Sequence, residues 1–283
     1  MLYKRKDAQL IDNKIPIFNR MIPYMMRGRN ESIITLKEPL VMTNTLEFIN
    51  STRDEDGKRL YTYFEVLLAA IMRILTLYPR LNRFIMDGHY YKRNELSISF
   101  VIKTVLDIDE PERNVTLKCK PGETIEEIST KVRKLINEAK TTNEDDGEKA
   151  LLTLFKFPSF IVNIITKAII GLDKKGLLPL SMTDVDALHV SAFVANLGSI
   201  GINDAPAHHL FEWGTCSIFI TSGRIRKEQV VSKTGEITVE DVLNICFSID
   251  ERIADGFYYS QVIKKFKQLI ANPEELLTTP KPD

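Results

Sequence analysis

Residues 248–257, SIDERIADGF, place four charged side chains where a strand is predicted to end and a helix to begin. In the preceding segment, DVLNICFSID, the odd positions 243–249 are apolar and most of the even positions are polar. Continued for one more residue, this alternation points Glu251 to the buried side of the sheet. A carboxylate there must be paired, be hydrogen-bonded or have a raised pKa. Glu251 is therefore a candidate general base; the alternative is that the strand ends one residue earlier and Glu251 reaches water.

Three histidines, His189, His208 and His209, are the other proton acceptors of this region. His189 has the same parity as Ala195 in the predicted strand, so it could reach the same cavity as Glu251 and form a pair with it. His208 and His209 are neighbours, and in an extended chain their side chains face opposite ways and cannot readily bind one ion. We interpret these two as loop or core histidines, and the sequence predicts no metal site.

The elements that position these residues alternate between helix and strand. Helical spacing predicts a short helix over 18–30, a longer one from Tyr63 to Tyr78, and an amphipathic helix capped by Thr124. Asp87 and Gly88 are predicted to form the tip of a tight hairpin. Strands are predicted in SIITLKEPLVM, ELSISFVIK, ALHVSAFVANLG, TCSIFITSGRI and DVLNICFSID. No Gly/Ser/Pro-rich linker divides the chain, so we expect one α/β domain over residues 1–283.

The last helix begins after Asp255 and Gly256. A plain explanation competes with a functional one here, because Asp is a favoured N-cap and Gly suits the turn before a helix. The spacing of apolar residues in this helix predicts a core face made of Phe257, Val262, Ile263, Phe266 and Ile270.

The most apolar stretch is ALLTLFKFPSFIVNIITKAIIGL, residues 150–172, after the polar segment TTNEDDGE, which is predicted to be a solvated loop. Its length approaches that of a membrane span, but Lys156, Pro158 and Lys167 interrupt it. We expect a pair of buried or interface helices broken at Pro158. Contact with a membrane surface is the alternative.

Composition argues against several classes of function. The 38 basic and 38 acidic residues cancel, so overall charge does not indicate a nucleic acid or an anionic membrane as partner. The three cysteines, Cys119, Cys216 and Cys246, are widely spaced and odd in number, which is typical of a reducing cytosol. The first ten residues lack the apolar segment of a signal peptide. We therefore expect a cytoplasmic protein.

Several segments, in order, carry a resemblance to a known family: FNRMIPYMM, YPRLNRFIMDGHYYKRNELSISF, SAFVANLGSIG, SIFITSGRI, DERIADG and IANPEELL. Together they resemble the catalytic domain of the 2-oxo acid dehydrogenase acyltransferases (E2 components), which shares its fold with chloramphenicol acetyltransferase. The resemblance implies an α+β two-layer sandwich, with a mixed sheet and helices packed on it. It also implies a homotrimer with a site between subunits.

This chain departs from the family pattern at the two positions that carry the family's chemistry. The family places a His general base where this chain has Glu251, and an oxyanion-stabilising Ser or Thr where it has Ala195. An unperturbed Glu is about two pK units less basic than His, a handicap of up to ~3 kcal/mol, and loss of one oxyanion donor costs about 10²- to 10³-fold in rate. Asn196 and Gly198 match the Asn-Leu-Gly turn. Asp255 is retained, and the resemblance implies an ion pair with Arg20.

Three hypotheses about function remain open. The first is an acyltransferase that acts on a thioester such as acyl-CoA, with coenzyme A as the group released and Glu251 as an altered base. The second is a catalytically inactive relative that serves in binding or trimeric assembly, and the third is a membrane-associated protein. The chain shows no lipoyl domain and no Ala/Pro-rich linker, so the resemblance implies that an acyl carrier or lipoyl protein would act in trans.

Overall fold

A seven-stranded mixed sheet organises the computed structural model, which describes residues 2–103, 112–141, 152–183, 186–209, 211–232 and 234–280. The strand order is β2-β10-β8-β7-β5-β6, and β9 pairs with the first half of β10. β7 runs parallel to both β5 and β8, whereas the remaining pairs are antiparallel. The strands are β2 (Ile33–Val41), β5 (Leu96–Ile102), β6 (Arg113–Cys119), β7 (Ala192–Asn196), β8 (Ile218–Ser222), β9 (Arg226–Val231) and β10 (Ile237–Asp250).

A second, three-stranded sheet has the order β1-β4-β3, with β1 (Ala8–Leu10), β3 (Arg83–Met86) and β4 (His89–Arg93). Asp87 and Gly88 connect β3 to β4 with φ angles of 52° and 80°. Two consecutive positive φ values are what a two-residue hairpin turn of the favoured hand requires. The predicted hairpin is confirmed.

The helices are α1 (Ile22–Met25), α2 (Thr43–Ser51), α3 (Tyr63–Leu77), α4 (Ile125–Thr141), α5 (Ser159–Lys174), α6 (Leu180–Thr183) and α7 (Gly256–Ala271). α3 begins at a capping box between Thr62 and Glu65 and is buried from Glu65 to Leu75. It contacts α4, α7 and β5, so these helices form the second layer over one face of the main sheet. The predicted class, a mixed sheet with helices packed on it, is confirmed.

β10 has both of its faces buried, from Val242 to Asp250. Its odd positions face the helices, as predicted, and the rings of Phe247 and Phe266 meet edge-on at 5.7 Å. Its even positions lie under the segment 204–209. The main apolar core draws on residues from Ile11 to Leu276; a single domain over the whole chain stays a prediction.

Two predictions about helices need correction. The predicted helix over 18–30 is reduced to a 3-10 turn at Asn19–Met21 followed by the one-turn helix α1. In α7, Val262, Phe266 and Ile270 are buried as predicted, but Phe257 is 76% exposed. Nine residues separate Phe257 from Phe266, and at 100° per residue the two side chains lie on opposite sides of the helix.

The apolar segment at 150–172 is broken where Pro158 predicted, because α5 begins directly after it. The prediction that this segment is buried was wrong for a single copy of the chain, because Asp173 is the sole buried residue of α5. Phe155, Phe160 and Ile164 are all more than 60% exposed. In the part of the chain that the structure describes, no helix is both long and apolar enough to cross a membrane. The predicted loop TTNEDDGE lies, apart from Thr141, outside the described residues.

Candidate functional site

A tight turn at residues 250–252 ends β10 and presents Glu251. The buried carboxylate of Asp250 accepts two hydrogen bonds from the guanidinium of Arg252, at 2.8 and 2.7 Å, and a third from its backbone N–H. Arg252 also donates to the backbone carbonyls of Met26 and Arg27, which ties the turn to the N-terminal segment. Burial alone would raise the pKa of Asp250, but the hydrogen bonds and charge of Arg252 outweigh it, and the pKa lies below its usual value.

Glu251 is exposed in the protomer, and the prediction that it points into the core was wrong. Its backbone N–H donates to the carbonyl of Ser32, which still continues the pairing with β2. The side chain turns outward because Asp250 caps a 3-10 turn at this point and the strand alternation stops. The buried carboxylate of this stretch is therefore Asp250.

Asp255 is the N-cap of α7, where its carboxylate accepts the backbone N–H of Tyr258 at 2.9 Å. Its ion pair is with Arg80, at 3.2 Å. The implied pairing with Arg20 was wrong for the protomer, since Arg20 lies in the exposed 3-10 turn before α1. Gly256 has no positive φ, and a Cβ there would meet open space, so the fold of the protomer does not require glycine at this position.

Ala195 and Asn196 end β7, and the Asn-Leu-Gly turn follows. The side-chain oxygen of Asn196 accepts hydrogen bonds from Tyr63, at 3.1 Å, and Ser222. A Cβ on Gly198 would collide with the backbone carbonyl of Gly223, so the close approach of two chain segments requires glycine here. The side chain of Ala195 supplies no hydrogen-bond donor.

Glu251 and Ala195 of one protomer are far apart. Ala195 pairs with Thr221 on β8, and Thr221 pairs with Cys246 on β10, so Ala195 lies level with Cys246. Glu251 follows Cys246 by five residues, which at ~3.4 Å per residue is about 17 Å along the strand, with two strand spacings across. The two positions are separated by about 20 Å, so a single substrate could use both only if they came from different copies of the chain.

His189 belongs to a buried ion network, and the predicted pair with Glu251 is not formed. Its two ring nitrogens lie 3.1 Å from Asp173 and 3.0 Å from Asp186. Asp173 also forms an ion pair with Arg5, at 2.7 Å, and accepts the indole N–H of Trp213. Burial would lower the pKa of His189, but the hydrogen bonds to both carboxylates outweigh it and raise the pKa.

His209, interpreted from the sequence as a loop or core histidine, is a core residue close to this turn. It is 2% exposed, and neither ring nitrogen makes a hydrogen bond of good geometry with a described residue, although the backbone of Ile249 is close enough to have a small effect on the ring. Its charged neighbours are Asp250, Arg29 and Arg252, close to the turn that presents Glu251. Burial lowers the pKa of His209. The sequence did carry one signal for a buried segment here. Most of the even positions of β10 are polar, and buried polar groups require hydrogen-bond partners from the segment that covers them.

Cys119, Cys216 and Cys246 are buried and free, and burial raises the pKa of each thiol. Within the described ranges, no group of three or more His, Cys, Asp or Glu side chains is arranged to hold a metal ion.

Comparisons with known proteins extend this picture. Residues 180–278 match the family model of the 2-oxoacid dehydrogenases acyltransferase catalytic domain. A curated relative is the lipoamide acyltransferase component of the branched-chain alpha-keto acid dehydrogenase complex of Bacillus subtilis (strain 168), 22% identical over 241 residues. The match covers 83% of this chain and 45% of the relative, so the chain spans about half the length of that protein.

Two solved structures share the fold over nearly all of the chain. A probable dihydrolipoamide acetyltransferase from Listeria monocytogenes 4b F2365 superposes with a TM-score of 0.60 at 17% identity, covering 91% of this chain and 93% of the other. Chloramphenicol acetyltransferase superposes with a TM-score of 0.56 at 12% identity, covering 93% and 99%. The predicted chloramphenicol acetyltransferase-like fold is confirmed. Residues 180–278 are therefore similar to the 2-oxoacid dehydrogenases acyltransferase catalytic domain, and nearly the whole chain has the fold of the solved structures of that type.

Proposed function

We propose that this protein is an acyltransferase that transfers an acyl group from a thioester such as acyl-CoA to a thiol, at a site shared between two copies of the chain. The observation that carries the proposal is the pair of preserved turns. Asp250 and Arg252 build one, Asn196 and Gly198 build the other, and in one protomer they lie too far apart to meet one substrate. A homotrimer of the kind that the family implies would bring the two together.

Exposed apolar side chains support such an assembly. The N-terminal segment that receives the hydrogen bonds of Arg252 also presents Ile17, Phe18, Met21, Tyr24 and Met25 to solvent. An apolar surface of this kind beside a polar turn is typical of a protein–protein interface. Covered by a second copy, Glu251 would lose contact with bulk water and would face the groups that the other copy contributes to the site.

Glu251 would then accept the proton of an attacking thiol, whose sulfur attacks the thioester carbonyl and displaces the thiolate of coenzyme A. His189 is not available as an alternative base, because both of its ring nitrogens are held by carboxylates. Ala195 provides no hydroxyl to stabilise the oxyanion, so we expect slow turnover relative to a site that has one. A lipoyl or other acyl-carrier protein acting in trans in the cytoplasm is the acceptor or donor that the family suggests.

The second candidate function is binding or assembly without catalysis. It is favoured by the distribution of changes: the two positions that the family uses for chemistry are replaced, whereas the groups that shape the turns are retained. This is the pattern expected when a fold is kept and its reaction is lost.

Turnover and assembly can be tested together. The purified protein is mixed with acetyl-CoA and a panel of thiol, amine and hydroxyl acceptors, and free coenzyme A is followed while light scattering reports the number of copies. For an acyltransferase, Glu251→Gln lowers the rate by about 10²-fold or more, while Glu55→Gln, which alters another exposed carboxylate, changes nothing. An unchanged rate in Glu251→Gln removes Glu251 as the base.

Restoration of the family's groups separates the two candidates. Ala195→Ser adds one hydroxyl at the oxyanion position and raises the rate of an active enzyme by about 10- to 100-fold. Absence of turnover in the wild type and in the double variant Ala195→Ser, Glu251→His, with acyl-CoA binding retained, favours the binding function. A monomer at all concentrations contradicts the shared site.

A further inference from the structure

Arg93, at the end of β4, is a buried cation without a carboxylate partner in the described ranges. It is 6% exposed, and its guanidinium lies over the ring of Phe84, 4.8 Å from the ring centre. It donates one hydrogen bond, to the backbone carbonyl of Thr215. Burial lowers the pKa of Arg93 to about 9. Burial of a guanidinium costs free energy unless an anion lies beside it, so an anion that is not part of this chain is expected near Arg93.

Arg93 lines a cavity of about 120 Å³ at the edge between the two sheets. Lys6 and the hydroxyl-bearing Ser97 and Thr116 line the same cavity. A water molecule occupies about 30 Å³ of liquid volume, so this space is large enough for a phosphate or a small carboxylate with a few waters.

The carboxylates in the wall of this cavity are already bound to other cations. Their ion pairs are Asp7 with Arg5 at 2.8 Å, Glu95 with Lys118 at 3.2 Å, and Asp186 with His189 at 3.0 Å. Arg29 and Arg5 also act on Arg93 as like charges. The cations in the wall that remain without a carboxylate within 4.0 Å in the described part of the chain are Arg93 and Lys6.

We propose that this cavity binds a small oxyanion, a phosphate or carboxylate group, between the guanidinium of Arg93 and the ammonium of Lys6. Arg93 suits this role because its planar fork can donate two parallel hydrogen bonds to one oxyanion. Stacking on Phe84 holds the guanidinium in a fixed orientation, which reduces the entropy lost on binding. The site is separate from Glu251 and does not depend on the proposed acyl transfer.

The test compares thermal unfolding of the whole chain in sodium phosphate, sodium acetate and sodium chloride at equal ionic strength and pH. A ligand that binds the folded state alone raises the unfolding midpoint with concentration. We expect phosphate or acetate to raise the midpoint beyond chloride, and the stronger of the two identifies the class of ligand. Arg93→Met should abolish the increment, whereas Arg80→Met, which removes an exposed guanidinium elsewhere, should preserve it.

Lys6→Met provides a second variant in case Arg93→Met does not fold. Calorimetric titration with the anion that raised the midpoint most should give a dissociation constant about tenfold larger than that of the wild type, because one of two cationic ligands is lost. The proposal is overturned by equal midpoints in all three salts. It is also overturned by an increment that persists in both Arg93→Met and Lys6→Met.

Discussion

His189 and His209 are both buried, at 8% and 2% exposure, yet their surroundings differ in one respect. His189 lies between two carboxylates, and its two ring nitrogens each have a partner. His209 has one nearby carboxylate, Asp250, which is already bound by Arg252, and its ring nitrogens make no hydrogen bond of good geometry with a described residue. Burial alone disfavours the charged form of both, but in His189 the partners reverse the effect, so the two pKa values move in opposite directions.

The comparison separates two uses of a buried imidazole. A paired imidazolium joins chain segments: His189 connects α5, through Asp173, to the loop before β7. An unpaired neutral imidazole contributes little to that kind of connection and keeps its proton-accepting capacity. The three predictions below test this difference, from the largest effect to the smallest.

Removal of the shared carboxylate should have the largest effect. Asp173→Ala leaves Arg5, His189 and Trp213 without their common acceptor, and we expect the free energy of unfolding to fall by about 3–5 kcal/mol in urea titrations. Asp186→Ala removes a carboxylate that is partly exposed, and a smaller loss, of about 1–2 kcal/mol, is expected. Equal losses in the two variants would show that Asp173 is not the centre of the network.

The raised pKa of His189 gives an intermediate, pH-dependent effect. Since the folded-state pKa lies above the unfolded value of about 6.5, the stabilisation is complete below that pH and is lost as the pH rises through the folded-state value. Wild type and His189→Asn should therefore differ most in stability near pH 6 and progressively less at alkaline pH. A difference that grows with pH would contradict the ion network.

Replacement of His209 should have the smallest effect on stability, and the pH dependence of that effect should be opposite to that of His189. Its folded-state pKa is lowered, so stability is present above about pH 6.5 and is lost as the pH falls through the folded-state value. His209→Phe keeps a ring of similar size without the two unpartnered nitrogens. We expect it to lie within about 1 kcal/mol of wild type at neutral pH and to be the more stable protein in acid. A loss as large as that of Asp173→Ala would show that the imidazole is bound after all.

Local patterns predicted the elements well where the cause of each element is local. The Asp87–Gly88 turn, the apolar face of α3 and the break at Pro158 depend on residues next to one another in the chain. The ordered motifs of the C-terminal part likewise indicated the family resemblance, and residues 180–278 match the corresponding family model. Alternation failed at Glu251 because it was extended by one residue, past the point where Asp250 caps the turn.

Partners that are distant in sequence could not be predicted. Asp173 is an isolated acid at the end of an apolar helix, and nothing in its own segment indicates that Arg5 and His189 will meet it. The ion pair of Asp255 with Arg80 in place of Arg20 depends on how the turn before β3 packs against α7. The exposure of α5 is a further example, because its apolar sequence does not state which surface, if any, covers it.

The hydroxyl of Tyr259 donates to the backbone carbonyl of Asp250, from within the buried side of α7. One phenol thus couples the last helix mechanically to the strand end next to Glu251. A small rotation of α7 about its long axis would pull on that carbonyl and swing the adjacent carboxylate. Tyr259→Phe removes this one hydrogen bond and offers a gentle way to loosen the linkage.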